Sequence, residues 1–303
     1  MATTLYVIVD ATHSAWAPLD AAASTGSLDS SSNGGSRRLS FPELVRDLQV
    51  FVASFLALRR HNRVVALGYN GVVGGFCVLP PREAATAAVA GVSELARAAA
   101  VQRALAASLW MLRFGAPPTG VAVPAARGAA GNIIGVEWPE SPQLSDKLSS
   151  FSSCLTLALL HGAQHAGVGG ARMRIIVFQA GADVAAHYIP VNNAVSAAAA
   201  RGVLIDGCVL GTGASVFLQQ AAQSTRGRYA HPPAAQHAAL SPYLSELFLA
   251  DASVRALLLQ PPPHSVNLRA HCFCHKRPQS LAWLCTTCLS VWCENTGRCD
   301  TCG

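Results

Sequence analysis

Leu5-Tyr-Val-Ile-Val-Asp10-Ala-Thr-His-Ser14 reads as a strand that is apolar on both faces and stops at a carboxylate. A half-exposed strand alternates apolar and polar residues, so an unbroken run of β-formers needs cover on both sides. Arg63-Val-Val-Ala-Leu-Gly-Tyr69, Arg174-Ile-Ile-Val-Phe178 and Val203-Leu-Ile-Asp-Gly-Cys-Val-Leu210 repeat the pattern. Helical stretches separate them. Ser40 and Glu43 have capping-box spacing, Pro42 sits in the first turn, and Leu44, Leu48, Phe51, Phe55 and Leu58 form one apolar stripe. Glu83–Phe114, Ser141–His165, Asn192–Arg201, Ser215–Ser224, Leu240–Leu249 and Asp251–Leu259 are the other expected helices. Phe76–Leu79, after the Asn70-Gly71 turn, is expected as an antiparallel partner strand, and Gly227–Tyr229 as the start of an edge strand. Apolar strands alternating with helices predict an α/β, doubly wound, mostly parallel sheet with helices on both faces. Ligands of such sheets bind at the C-terminal ends of the strands, which places Asp10 on that edge.

Composition supports a large core: 51% of the 303 residues are hydrophobic and 13% charged. Residues 21–38 and 115–142, rich in small residues or in proline and glycine, are expected as irregular loops. Gln260-Pro-Pro-Pro263 begins a stiff linker, so the expected division is 1–259, a linker at 260–270, and a small module at 271–303. No run of 18 apolar residues free of charges and breakers predicts a membrane span. A net charge of +6 is modest, and Arg269, Lys276, Arg277 and Arg298 are too few for a strong phosphate track.

The tail carries the most specific chemistry. Of ten cysteines, Cys77, Cys154 and Cys208 are scattered among apolar neighbours, as buried small hydrophobes are, and the other seven lie between Cys272 and Cys302. The start, Met1-Ala-Thr-Thr4, lacks the basic residues of a secretory signal, so the cluster points to metal rather than disulfides. Cys285-x-x-Cys288 and Cys299-x-x-Cys302 form two knuckles that supply the four soft ligands of a zinc tetrahedron. Cys272, Cys274, His275 and Cys293 offer three or four ligands for a second zinc. A segment this short has almost no apolar core, and metal would supply its folding energy.

The first-strand loop allows two readings. Asp10, Thr12 and Ser14 present a carboxylate and two hydroxyls to a hard cation such as Mg²⁺, or Asp10 and Thr12 satisfy backbone groups of the turn. His161, His165, His187, His231 and His237 lack metal-ligand spacing and are expected in surface or packing roles. Ser108, Ser153 and Ser215 stand in no nucleophile elbow, and Gly167-Val-Gly-Gly170 precedes a strand rather than following one. No residue set assembles a nucleophile, a base and a pocket, so no enzyme activity is expected.

Leu5–Asp10 with Trp16, the two later strands, Gln219-Gln-Ala221 and Gly227-Arg-Tyr229 resemble a von Willebrand factor A domain. Leu259-Gln-Pro-Pro-Pro263, Arg269-Ala-His-Cys-Phe-Cys-His275 and Cys285-Thr-Thr-Cys-Leu-Ser-Val-Trp-Cys293 resemble the general transcription factor IIH subunit three family. The resemblance implies a nuclear, non-catalytic structural subunit of the TFIIH core. Such a subunit serves transcription initiation and nucleotide excision repair and pairs most closely with the larger A-domain subunit that has a RING-like tail. It also implies that Ser153 matches the second-loop hydroxyl of metal-binding A-domains. Where a third-loop Asp is expected the chain reads Gln179-Ala-Gly-Ala-Asp183, so only Asp183 can substitute. Two other functions compete. A RING-type ubiquitin ligase needs a further Cys or His soon after Cys293, where Glu294-Asn-Thr296 stands. A cation-dependent ligand-binding A-domain needs the third-loop Asp.

Overall fold

The apolar run becomes strand β1, Thr3–Asp10, and its side chains divide strictly between two cores. Leu5, Val7 and Val9 enter one, Tyr6 and Ile8 the other. This is the period-2 geometry of a strand covered on both faces. The computed structural model describes residues 3–25, 39–70, 76–78, 94–114, 151–165, 172–184, 187–259, 270–275, 277–295 and 297–303. Within them β1 is flanked in parallel by β2, Arg63–Tyr69, and β4, Arg172–Gln179. β5, Leu204–Val209, and β6, Tyr229–Ala230, continue in parallel, and β3, Phe76–Val78, runs antiparallel to β2. The order β3-β2-β1-β4-β5-β6 is that of a doubly wound sheet.

Helices cover both faces. α1 (His13–Thr25), α2 (Phe41–Leu58), α3 (Glu94–Phe114) and α7 (Leu240–Phe248) pack on one core. α4 (Phe151–His165), α5 (Tyr188–Ala200) and α6 (Val216–Thr225) pack on the other. The expected capping residues sit where α2 starts: the Ser40 N–H and hydroxyl both donate to Glu43 Oε2, at 2.9 and 2.8 Å. Cys154 and Cys208 are fully buried, and burial pushes the Cys208 thiol well up.

Four expectations need correction. Residues 21–25 belong to α1 rather than to an irregular loop, because the Ala-rich segment favours helix and the buried Trp16 and Leu19 anchor its face. α5 begins at Tyr188, so Pro190 stands in a first turn, where a missing N–H costs nothing. The helix expected over Asp251–Leu259 shrinks to α8, Ala252–Arg255, and Leu257 to Leu259 face solvent. Leu58, counted in the buried stripe of α2, is 54% exposed. Residues 79–93, 115–150 and 260–269, including the expected loop at 115–142 and nearly all of the linker, lie outside the described residues.

One polar cluster ties the sheet to the C-terminal helices. Asp206 on β5 is fully buried. It accepts from Arg174 Nε at 2.7 Å, from both Arg255 terminal nitrogens at 2.8 Å each, and from the Arg228 backbone N–H at 2.7 Å. Arg174 also donates to the carbonyls of Phe248 and Ala250. Burial pushes the Asp206 carboxyl up, while Arg174 and the Arg228 amide pull it back. Such a cluster is tolerable in the interior because every charge is paired and hydrogen-bonded.

Candidate metal centres

Two turns of the tail close in the same way. Leu289 N–H donates to Cys285 O at 2.9 Å and Gly303 N–H to Cys299 O at 2.8 Å. The fifth residue of each turn lies in the left-handed region, Leu289 at φ 59° and Gly303 at φ 94°. Each Cys-x-x-Cys knuckle is thereby folded so that its two sulfurs converge. The first knuckle sits in the connection between the antiparallel strands β7, Trp283–Leu284, and β8, Val291–Trp292. Phe273 N–H donates to Val291 O at 2.8 Å, which brings the Cys272–His275 turn against β8.

Eight potential ligands fall into two sets of four, Cys272, Cys274, His275 and Cys293 in one, Cys285, Cys288, Cys299 and Cys302 in the other. In each set one donor atom per residue lies within 4.8 Å of the rest. Cys285–Cys302 and Cys288–Cys299 sulfurs are 3.7 and 3.4 Å apart, and Cys274–Cys293 are at 3.2 Å. A disulfide requires about 2.05 Å. A tetrahedron with metal–sulfur bonds of about 2.3 Å has edges of about 3.8 Å, close to these spacings. Cys293 Sγ to His275 Nδ1, at 3.3 Å, fits a sulfur–nitrogen edge equally well. Both sets can therefore hold a metal ion. The sets also interlock, since Cys293 of the first lies in the chain between the two knuckles of the second.

Crowded thiols share protons unevenly. A hydrogen bond from Ser290 brings Cys299 down to about 5, while Cys288, Cys299 and Cys285 together push Cys302 up to about 12. In the other set burial opposes ionisation of Cys272, yet the amides of Arg277 and His275 bring it down to about 6, and Cys274 pushes Cys293 up to about 11. Four adjacent thiolates repel one another, and a divalent cation is what lets all of them ionise.

Sequence spacing missed Ser290. Its hydroxyl is buried, 2.9 Å from Cys288 Sγ and 3.2 Å from Cys299 Sγ. Trp292 Nε1 donates to the same oxygen at 3.0 Å. With that lone pair engaged, the single hydroxyl proton is left for sulfur. Only the Ser-x-Trp register of β8 hints at this arrangement.

The strand-end loop is built differently. Asp10 is buried, and its Oδ1 accepts from Thr12 N–H at 2.9 Å. Its Oδ2 accepts from the Gly181 and Ala180 amides at 2.8 and 3.2 Å. Asp183 Oδ1 accepts from Ser215 Oγ at 2.6 Å and Gln179 Nε2 at 3.0 Å, and its Oδ2 from Phe217 N–H at 3.0 Å. Asp10 thus stitches the β1 and β4 loops together, and Asp183 binds the N-terminus of α6. Thr12 is half-buried and Ser14 exposed at the start of α1, and Ser153 is half-buried in the first turn of α4. The β4 and β5 loops approach closely beside it: a Cβ on Gly211 would stand 2.1 Å from Ala180 O. Two of the histidines hold neighbouring groups, Tyr6 OH to His161 Nδ1 at 2.7 Å and His231 Nε2 to Gly211 O at 3.0 Å.

Among families, the model for transcription factor Tfb4 matches residues 136–303, a span that holds β4 to β6 and both ligand sets. General transcription factor IIH subunit 3 of Dictyostelium discoideum is 37% identical over 156 residues, 51% of this chain and 41% of that protein. The general transcription and DNA repair factor IIH subunit TFB4 of Arabidopsis thaliana is 38% identical over 130 residues, 43% of this chain and 42% of that protein. The chain thus spans less than half the length of these two relatives. The crystal structure of the TFIIH p34 N-terminal domain has the same fold, with a TM-score of 0.51, 23% identity, and coverage of 80% of this chain and 95% of that one.

Proposed function

Because the chain belongs to the transcription factor Tfb4 family, we propose that it is a non-catalytic structural subunit of the TFIIH core. It acts in the nucleus, in RNA polymerase II transcription initiation and nucleotide excision repair, by holding other core subunits. Its principal partner is the larger subunit with an A-domain and a RING-like tail. The observation that carries this reading is the unbroken family match, which runs from the second half of the sheet through every tail cysteine. Both parts of the chain are therefore what the family has in common, and a scaffold needs both as surfaces.

The tail ion is zinc, one per ligand set, because thiolate-rich tetrahedra suit a redox-silent d¹⁰ cation. Cys285, Cys288, Cys299 and Cys302 hold one ion, and Cys272, Cys274, His275 and Cys293 the other. Its role is structural: all four positions are filled by protein, which leaves no open coordination site for chemistry. The strand-end loop, in which Asp10 and Asp183 each accept three hydrogen bonds from protein donors, serves as an anchor rather than a cation site. Among the described residues no helix is long and apolar enough to cross a membrane.

Affinity purification of the tagged full chain from nuclear extract, read by mass spectrometry, tests the proposal. TFIIH core subunits in near-equal amounts are the expected result. Recovery of the folded, zinc-loaded chain without them overturns it.

A further inference from the structure

The sheet has an N-terminal edge, opposite the Asp10 loop, that neither the scaffold reading nor the metal centres use. A groove of about 360 Å³ opens there. Its apolar wall comes from Leu58, Leu249, Val254, Leu258 and Leu259. Leu58 and Leu258 are 54% and 48% exposed, and Leu259 fully so. Large apolar side chains grouped in a concave surface mark contact sites more often than scattered ones do.

The same edge is basic. Thr3 lines the groove, and its neighbour in the ladder is Arg172, while Arg63 pairs with the adjoining Thr4. Both arginines are exposed, and among the described residues neither lies within ion-pair distance of an acid, although the Arg172 charge helps hold the Asp251 carboxyl down. They stand on either side of β1, on the order of 10 Å apart by the spacing of strands. Exposed Arg60, Arg201 and Arg226 extend the positive charge along the ends of the flanking strands. The rim holds two acids, Glu246 and Asp251, and Asp251 is already bound by Arg59 at 3.0 Å. The surplus on this edge is thus positive, and it surrounds an apolar floor.

We infer that this groove is a docking site for a short acidic polypeptide segment carrying two or three apolar anchors. The apolar floor decides between polyanions: a nucleic acid backbone offers phosphates but nothing to fill a leucine-lined groove, whereas an amphipathic acidic peptide matches both parts. The anchors enter between Leu58 and Leu258, and the flanking carboxylates meet Arg63 and Arg172. The scaffold reading does not depend on this site.

The test is selection of a displayed library of random 15-residue peptides on the full zinc-loaded chain at physiological salt. Selected sequences are expected to be rich in Asp and Glu and to share Leu, Phe or Met at helical spacing. Their affinity should fall at least tenfold with Arg63→Glu/Arg172→Glu and at least tenfold with Leu258→Glu, while circular dichroism of these surface variants stays unchanged. A benzoylphenylalanine placed at an anchor position of a selected peptide should cross-link to residues of the groove. Uncharged or basic selected sequences, affinity indifferent to either variant, cross-links elsewhere, or duplex DNA binding this edge more tightly than the peptides would each overturn the proposal.

Discussion

The ring of Tyr188 meets the ring of Phe273 edge-on, with centroids 5.6 Å apart and planes at 86°. Tyr188 opens α5 of the sheet domain, and Phe273 lies between two ligands of the first metal set. Phe217 on α6 extends the stack on one side and Trp292 on the other, at 6.0 and 6.4 Å. The module thus leans on the domain through the residue that its own ligands position. Edge-to-face pairs contribute about 0.5–1.5 kcal/mol beyond burial. A double-mutant cycle of Tyr188→Ala and Phe273→Ala, followed by urea unfolding of the zinc-loaded chain, should return a coupling of about that size. Strict additivity would show that the two parts do not communicate through this contact.

Each ligand set should lose its own ion. Cys288→Ser is expected to lower bound zinc from about two per chain to about one, and Cys274→Ser to do the same for the other set. Total metal by mass spectrometry checks the count. Full occupancy in either variant would be incompatible with the ligand sets given above.

Ser290 should matter to the metal without binding it. Removing its hydroxyl takes away the donor shared by Cys288 and Cys299, whose bond brings the Cys299 thiol down. Ser290→Ala should weaken zinc retention about 10–100-fold against a competing chelator, the usual cost of losing a supporting hydrogen bond. Ser290→Thr, which keeps the hydroxyl, should recover part of the loss.

Asp206→Asn should be among the most damaging single changes in the sheet domain. It keeps the volume but leaves Arg174 and Arg255 buried without a counter-charge. Breaking a buried pair in this way costs about 3–5 kcal/mol. Equilibrium denaturation measures it, and a loss below about 1 kcal/mol would mean that solvent reaches the two guanidiniums.

Asp10→Asn should act on stability rather than on cation binding. The amide places an N–H₂ against one or more of three backbone donors, a mismatch costing about 1–3 kcal/mol. The melting temperature should fall, and Mg²⁺ should leave it unchanged in both the variant and the parent. A Mg²⁺-dependent rise that vanishes with the substitution would restore the cation reading of Asp10, Thr12 and Ser14.

Legibility followed the range of the interactions. β1 was readable because cover on both faces leaves a continuous apolar run, and the knuckles because four ligands of one ion recur at short spacing. The start of α5 was hidden by Pro190, which reads as a breaker unless its place in the first turn is known. The leucines after Asp251 look like a buried helix face, yet what they lack is a wall to pack against, and no local pattern records that. Least visible was the partner of Asp206, since Arg255 lies 49 residues further on and meets it only once α7 has packed into the core before it. Ser290 acts through geometry around sulfur, which leaves no spacing of its own.

The Asp206 cluster also says where the sheet domain can be severed. The edge strand β6 of the six-stranded sheet ends at Ala230, but a fragment cut there loses Arg255 and the Phe248 and Ala250 carbonyls that seat Arg174. It would keep every described strand of the six-stranded sheet and still carry a buried carboxylate stripped of one of its two guanidinium partners. Proteolysis should accordingly leave a resistant core whose C-terminus lies beyond Arg255, and any attempt to express the sheet without its metal module has its earliest safe boundary at that arginine.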